Sequence, residues 1–179
     1  TPYWQVFIQV KDIENQRLDL KFPKDIKDEN ELLKFKHLKG KDAVAQTKIK
    51  NAELPAPLPF DLTSLQTEAY RFCSLTPSQS LRVAQSLYLK GAISYPRTSS
   101  QEYPAAIGYD KILKALKKYT TLVKYATNKK PTKGKKTDPA HPAIHPTGEV
   151  LKMTDIEKKL YDLIVKRFIA CFADPAKVE

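Results

Sequence analysis

The sequence predicts an α+β chain, mainly helical, in which a small strand-containing part precedes a larger helical domain. Three observations carry this. From residue 62 onward, apolar residues recur at helical spacing behind N-terminal capping patterns. The first 22 residues are instead rich in strand formers and partly alternate. Between the two, "PAPLPF" (55–60) puts three prolines in six residues, which denies the backbone regular hydrogen bonding and marks a boundary. The expected organisation is residues 1–54 as a β-containing part, 55–175 as the helical domain, and 176–179 as the start of a return to the first part.

Taken in order, "YWQVFIQV" and "RLDLKF" read as two strands joined through the turn "KDIEN", a hairpin. "KDENELLKFKHL" reads as a short helix. "AVAQTKIKNAEL" alternates again through Val44, Ile49 and Ala52 and is expected to form a third strand. Past the prolines, Thr63 with Gln66 three residues on has the form of a capping box, with Leu62 stapled onto the first turn and Leu65, Ala69 and Phe72 on one face. After a break at Ser74 and Leu75, Thr76 caps a second helix with Pro77 at its first position and Gln79 at its third. Leu81, Ala84, Leu87 and Tyr88 are its expected buried side, and Gly91 its end. Two helices with so short a turn fit a helix-turn-helix, and a purely structural αα-hairpin gives the same pattern.

"AISY" is then a short extended run, and Pro96 biases Tyr95 away from the helical region. "YDKILKALKKYTTLVKYA" reads as one amphipathic basic helix, with Ile112, Leu113, Leu116 and Tyr119 inward and Lys111, Lys114, Lys117 and Lys118 outward. "TNKKPTKGKKTDP" carries five lysines in eight residues among Gly, Pro and Thr, the composition of a flexible basic loop suited to phosphates. Thr154 and Glu157 make a further capping box, opening a helix with a wide apolar face through Ile156, Leu160, Leu163, Ile164, Phe168, Cys171 and Phe172.

At 179 residues, 41% hydrophobic and 28% charged, the chain can bury a core, and no run nears the roughly 18 apolar residues of a membrane span. Its N-terminus lacks the pattern of a signal peptide, and both ends read as those of an excised piece of a longer protein. Lys and Arg number 31 against 20 Asp and Glu, a net charge of +11 and a pI near 9.5, which favours a polyanionic partner such as nucleic acid or an anionic membrane. Cys73 and Cys171 fall on apolar helix faces and are expected as small buried side chains rather than a disulfide or zinc ligands.

The candidate chemistry lies in "SYPRTSS" (94–100). A phenol holds its proton at neutral pH, so as a nucleophile it needs a nearby cation or a proton acceptor. Arg97 supplies a permanent charge that can grip a phosphodiester by two parallel hydrogen bonds, and Thr98, Ser99 and Ser100 add hydroxyl donors. Alone, "YPR" more often marks a half-buried strand tyrosine beside a surface arginine. The second cluster, "DPAHPAIHPTGE", weighs against that: His141 and His145 sit in a proline-rich, non-helical stretch where imidazoles can bind phosphate or shuttle a proton. Helical alignment of the two rings on a metal is blocked by Pro142 and Pro146.

Together "LPFDLTSLQTEA", "AQSLYLKGAISYPRTSS" and "AHPAIHPTGE" resemble three successive signatures of type IA DNA topoisomerases, and "KKLYDLIVKRFIACFADPAKVE" is similar to the stretch that follows them. The resemblance covers about residues 55–179. It implies that Tyr95 cleaves one DNA strand and becomes linked to the 5′ phosphate, that Arg97 assists beside it, and that His141 serves in DNA binding and proton transfer. Gln66 and Thr63 fall on the helix leading into the tyrosine domain, where support or strand contacts are implied. Contacts to DNA, chiefly single-stranded, are expected from Thr98, Ser99, His145, Arg82, Lys129, Lys130, Lys133, Lys135 and Lys136. The first 54 residues are assigned by position to the adjoining gate (arch) domain.

Bacterial members commonly carry "YMRTDS" and "AHEAIRP"; here Ser99 stands for the Asp, Pro142 for the Glu and His145 for the Arg, closer to the topoisomerase III and archaeal pattern. That leaves His145 between phosphate contact and loop packing. The family takes a catalytic glutamate and an acidic magnesium site from a Toprim domain whose pattern is not found here. The implied cofactor of the full-length enzyme is thus Mg2+ held outside this stretch, with the Toprim and remaining gate domains of the same chain as partners and no membrane. Location would be cytoplasmic in a prokaryote and nuclear in a eukaryote. A non-catalytic basic helix-turn-helix module, with helices at 64–75 and 77–90 gripping duplex DNA through Gln79, Ser80, Arg82, Gln85 and Ser86, is the alternative.

Overall fold

The structure is a computed structural model describing residues 2–46, 48–138, 140–149 and 151–178. It is mixed α and β, dominated by helices, and divides into two compact units, Thr1–Lys48 and Ile49–Glu179.

In the first unit, β1 (Phe7–Lys11) and β2 (Arg17–Lys21) pair antiparallel in the register Phe7↔Lys21 to Lys11↔Arg17. The turn is set by Asp12, whose carboxylate accepts from the Glu14 and Gln16 amides at 2.9 and 2.8 Å, while Asn15 takes the left-handed conformation its short amide tolerates. Helix α1 (Glu29–Lys36) is capped by Asp28, with acids in its first turn and lysines in its last, as the helix dipole favours. Ile26 is buried, and Phe22 packs edge-on to Phe35 at 5.0 Å. The third strand is shorter than alternation suggests. Val44 and Ile49 are exposed outside any strand, Thr47 lies outside the described residues, and only β3 (Ala52–Leu54) pairs, with β4 (Ala176–Val178) at the far end of the second unit. Alternation without a partner edge does not make a strand.

The second unit is built on α2 (Leu62–Cys73), α3 (Pro77–Leu89) and α5 (Asp155–Ala170), which pack on one another, with α4 (Tyr109–Leu116) beside them. α5 is central: Leu160, Tyr161, Ile164, Val165, Phe168 and Ile169 are buried at helical spacing. Phe168 lies between Tyr103 and Phe172 at 5.1 and 5.4 Å. Cys171 is buried and Cys73 half-buried; burial pushes the Cys171 thiol up to about 12, so it is a packing residue.

Three sequence expectations are corrected here. Asp61, not Thr63, caps α2: its carboxylate accepts from the Ser64 amide at 2.8 Å, Ser64 closes the box, and Leu62 is already helical. Gln66 instead donates to the Pro77 carbonyl at 3.1 Å, tying α2 to the start of α3. Phe72 and Tyr88 are exposed rather than buried, Phe72 beneath the Arg71 guanidinium and Tyr88 against Tyr95. The basic helix stops at Leu116; Thr120 then caps a 3-10 turn at Thr121–Tyr125 by accepting from the Leu122 amide at 3.2 Å.

The capping boxes at Thr76/Gln79 and Thr154/Glu157 both form as the spacing predicts. Glu157 does more than cap: Lys90 approaches both of its oxygens at 2.7 Å, and the Ser86 hydroxyl donates to it at 2.7 Å. It thus joins the end of α3 to the start of α5. The Lys90 ammonium first, then the Thr154 amide and the Ser86 hydroxyl, hold its carboxyl down at about 2, against 4.5 for a free glutamate. Because the folded value lies below the free one, this stabilisation is complete above about pH 5 and is lost as pH falls towards 2. Thermal melts should therefore fall in that window, and Glu157→Gln should flatten the dependence; an unchanged profile would contradict the assignment. Phe168→Ala should cost about 3–5 kcal/mol in urea unfolding.

Candidate active site

Two irregular segments, 92–98 and 141–147, lie side by side in the second unit. The Ser94 amide donates to the His145 carbonyl at 2.9 Å, and the Thr147 amide to the Ala92 carbonyl at 3.0 Å. Prolines at 96, 142 and 146 remove the N–H groups a continuous ladder needs, so the pairing appears only as isolated bridges such as Ile93↔Pro146. Hydroxyls fill the gaps. Ser94 Oγ accepts from the His145 amide at 3.0 Å, Thr147 Oγ1 donates to the Gly91 carbonyl at 2.7 Å, and Thr98 Oγ1 donates to the His141 carbonyl at 3.2 Å. Phe60 locks the far side by accepting from the Ile144 amide at 2.8 Å, and the Leu62 amide donates to the Thr98 carbonyl at 3.0 Å. Gly91, at φ +78°, provides the turn that releases the chain from α3 into this arrangement.

Tyr95 is carried on this braced segment and is half-buried, not sealed in the core. Its ring lies against His141 with centroids 4.8 Å apart and against Tyr88 of α3 at 5.4 Å, edge-on. Among the described residues its hydroxyl has no hydrogen-bond partner. The Asp138 carboxylate accepts from the Ala140 and His141 amides at 2.9 and 3.3 Å, so the backbone under the imidazole is held from both sides. Arg97 is exposed and lines an open groove of about 480 Å³ along α3, together with Arg82, Gln85 and Leu89.

The other candidates divide. Ser99 is exposed, but Thr98 is buried and its hydroxyl is occupied by His141 and the Ser100 amide. His145 is buried against Tyr103 and Phe168, with Nδ1–H donating to the Pro146 carbonyl at 2.9 Å. Burial holds its imidazole below the usual range, so it is neutral at pH 7; of the two roles left open, the geometry fits loop packing. Lys129, Lys130 and Lys135 are exposed without a carboxylate partner among the described residues, while Lys133 pairs with Glu102 at 2.7 Å and Lys136 lies 3.7 Å from Asp61. The basic loop is not free along its length as its composition suggests. The Asn128, Thr132 and Gly134 amides donate to Phe172, Cys171 and Gln101 at 2.8–2.9 Å. A Cβ at Gly134 would come within 2.6 Å of Gln101, so glycine allows this approach.

Sequence reasoning missed Ser94 and Tyr88. Ser94 precedes the tyrosine and could be found as a hydroxyl in a strand with no ladder; Tyr88 follows from its place as the penultimate residue of α3. Of the base-reading candidates on α3, Gln79 is used in its capping box, Ser80 is buried against the Thr76 and Pro77 carbonyls, and Ser86 is bound to Glu157. Among the described residues no group of three or more His, Cys, Asp or Glu could hold a metal ion.

A half-buried tyrosine thus lies with its ring tilted against a histidine, two residues before an exposed arginine. In fold, over 98% of its length the chain matches 30% of full-length topoisomerase I from Thermotoga maritima, with a TM-score of 0.63 and 24% sequence identity. The chain belongs to the DNA topoisomerase family, whose profile matches residues 1–179, and its signatures make it type IA. It is 40% identical to DNA topoisomerase 1 of Pyrococcus horikoshii over 98% of its own length and 27% of that protein. It is 47% identical to DNA topoisomerase 1 of Methanothermobacter thermautotrophicus over 76% of its length and 20% of that protein. DNA topoisomerase 3 of Saccharomyces cerevisiae is 30% identical over 75% of the chain and 24% of the yeast protein. The chain thus spans 20–27% of the length of these relatives.

Thr98→Val removes a buried hydroxyl with nearly no change of shape. It should cost about 1–3 kcal/mol in urea unfolding, since the His141 carbonyl and Ser100 amide lose their partner, and should alter the ring-current shifts of His141 in NMR spectra. An unperturbed His141 would contradict the bracing role.

Proposed function

We propose that this chain supplies the nucleophile of a type IA DNA topoisomerase, which opens one DNA strand, passes another through the gap and reseals the first. The observation that carries this reading is Tyr95, half-buried rather than sealed in the core, its ring tilted against His141 at 4.8 Å, on a segment braced by backbone bonds on both flanks. Tyr95 Oη attacks a backbone phosphorus. A phosphorus–tyrosine bond forms, the bond to the 3′ oxygen breaks, and the downstream strand is left joined to the protein through its 5′ phosphate. The phenolic proton leaves through His141 and returns to the 3′ oxygen, giving a free 3′ hydroxyl. Arg97 neutralises charge building on the phosphate oxygens. Resealing is the reverse attack by that hydroxyl. One phosphodiester replaces another, so no nucleotide needs to be hydrolysed.

In the full-length enzyme magnesium would be held by the Toprim part of the longer protein and would supply positive charge to the phosphodiester. The chain taken without that part is accordingly not expected to relax DNA, though its unpaired loop lysines suit weak single-strand binding. DNA, chiefly single-stranded, and the Toprim and remaining gate domains are the partners on this reading. No helix among the described residues is long and apolar enough to cross a membrane.

The test is a covalent trap in the full-length protein with a single-stranded oligonucleotide labelled at its 3′ end. The unsubstituted protein should carry the label after denaturation, whereas a 5′ label should appear on a free fragment. Tyr95→Phe should abolish the labelled protein; persistence of the adduct would identify another nucleophile. Arg97→Ala should lower adduct formation by about 10²-fold or more, with only partial rescue by lysine.

A further inference from the structure

The groove along α3 holds two arginines, neither of which has a carboxylate partner among the described residues. Arg82 is exposed on α3 and Arg97 lies across the groove on the segment that carries Tyr95. Two guanidiniums facing one open space repel unless an anion lies between them, and phosphate oxygens match their fork of donors. Glu157 reaches Ser86 on the groove wall but is held by Lys90 and the Thr154 amide. The wall between the arginines mixes two leucines with polar side chains. Leu81 is half-buried, and Leu89, at the last turn of the helix, is 76% exposed. Gln85 stands between them at one helical turn from each, its amide without a partner among the described residues. Two cations with leucines and an amide beside them complement a single strand of DNA, whose phosphates alternate with sugar and base faces. The groove also adjoins the nucleophile through the next residue back from Leu89, since Tyr88 packs on the Tyr95 ring.

We propose that this groove is a subsite for single-stranded DNA flanking the cleaved bond: Arg82 holds the phosphate next to the one served by Arg97, and Leu81 and Leu89 carry the sugar and base between them. The proposal rests on Tyr95 being the nucleophile, which fixes where the cleaved bond lies. Arg82 here binds the strand and sets its register; it takes no part in bond making.

The experiment uses the full-length protein on the Tyr95→Phe background, so that binding is measured without cleavage. Short single-stranded oligonucleotides of defined cleavage site carry one uncharged methylphosphonate linkage at successive positions. Arg82→Ala should weaken binding of the unmodified strand about tenfold and reduce the steepness of the log–log salt dependence by about 0.7, with partial recovery in Arg82→Lys. At one linkage adjoining the cleaved bond, neutralisation should weaken the Arg82-containing protein about tenfold and leave Arg82→Ala unchanged. Effects that add at every position, or an Arg82→Ala protein that binds and responds to salt as before, would overturn the subsite. So would a loss of affinity that is independent of salt and accompanied by a change in thermal unfolding of the full-length protein, the behaviour of a groove that holds an acidic protein segment. Cleavage by the Tyr95→Phe protein would instead sink the nucleophile reading, and additive linkage effects with that variant inert would sink only the subsite.

Discussion

The site depends on one constraint: two proline-interrupted segments must stay paired although neither can offer a full set of backbone donors. Ser94, Thr98 and Thr147 meet it by lending hydroxyls where prolines have removed amides or a ladder would otherwise stop. The result is a stiff, irregular platform. A regular strand would turn alternate side chains to opposite faces, whereas this backbone brings Tyr95 and the His141 imidazole together at 4.8 Å. Pairing of this kind suits a nucleophile that must hold its position against a phosphodiester while remaining reachable.

The helices keep that platform in place. Phe60 leads into α2 and also accepts from Ile144, so the first core residue of the domain is a direct partner of the histidine segment. α5 supports it from beneath through Phe168, against which Tyr103 and His145 pack, and the Tyr103 hydroxyl donates to the Ile144 carbonyl at 3.0 Å. His145 therefore belongs to the support. The histidine that remains beside the phenol is His141, four residues earlier, which is the division of labour a neutral, buried imidazole and an accessible one imply.

Much of this was legible in the chain itself. Capping patterns at Thr76 and Thr154 marked their helices correctly because both termini of the box lie within four residues, where local chemistry decides. At α2 the same reasoning gave Thr63, whereas Asp61 is the cap and is also tied by a long-range contact, accepting from Gln101 Nε2 at 3.2 Å. The strand through Val44 and the unbroken basic helix failed for a related reason, since periodicity reports a face but not whether anything covers it. At the site, residue types were legible and juxtaposition was not. Nothing local in "YPR" or "AHPAIHP" says that Ser94 lies under His145, and the tie between Lys136 and Asp61 needed the loop's path to be known.

The central claim is that the phenol of Tyr95 forms the bond to DNA, and mass spectrometry of a trapped covalent complex addresses it most directly. Trypsin should cut after Lys90 and Arg97, releasing the peptide Gly91–Arg97, whose one tyrosine is Tyr95. After nuclease digestion of the complex formed by the full-length protein, the account predicts a nucleotide joined through its 5′ phosphate to that peptide, with fragmentation placing it on Tyr95. A nucleotide on the neighbouring peptide that contains Tyr88, or on any other, would contradict it.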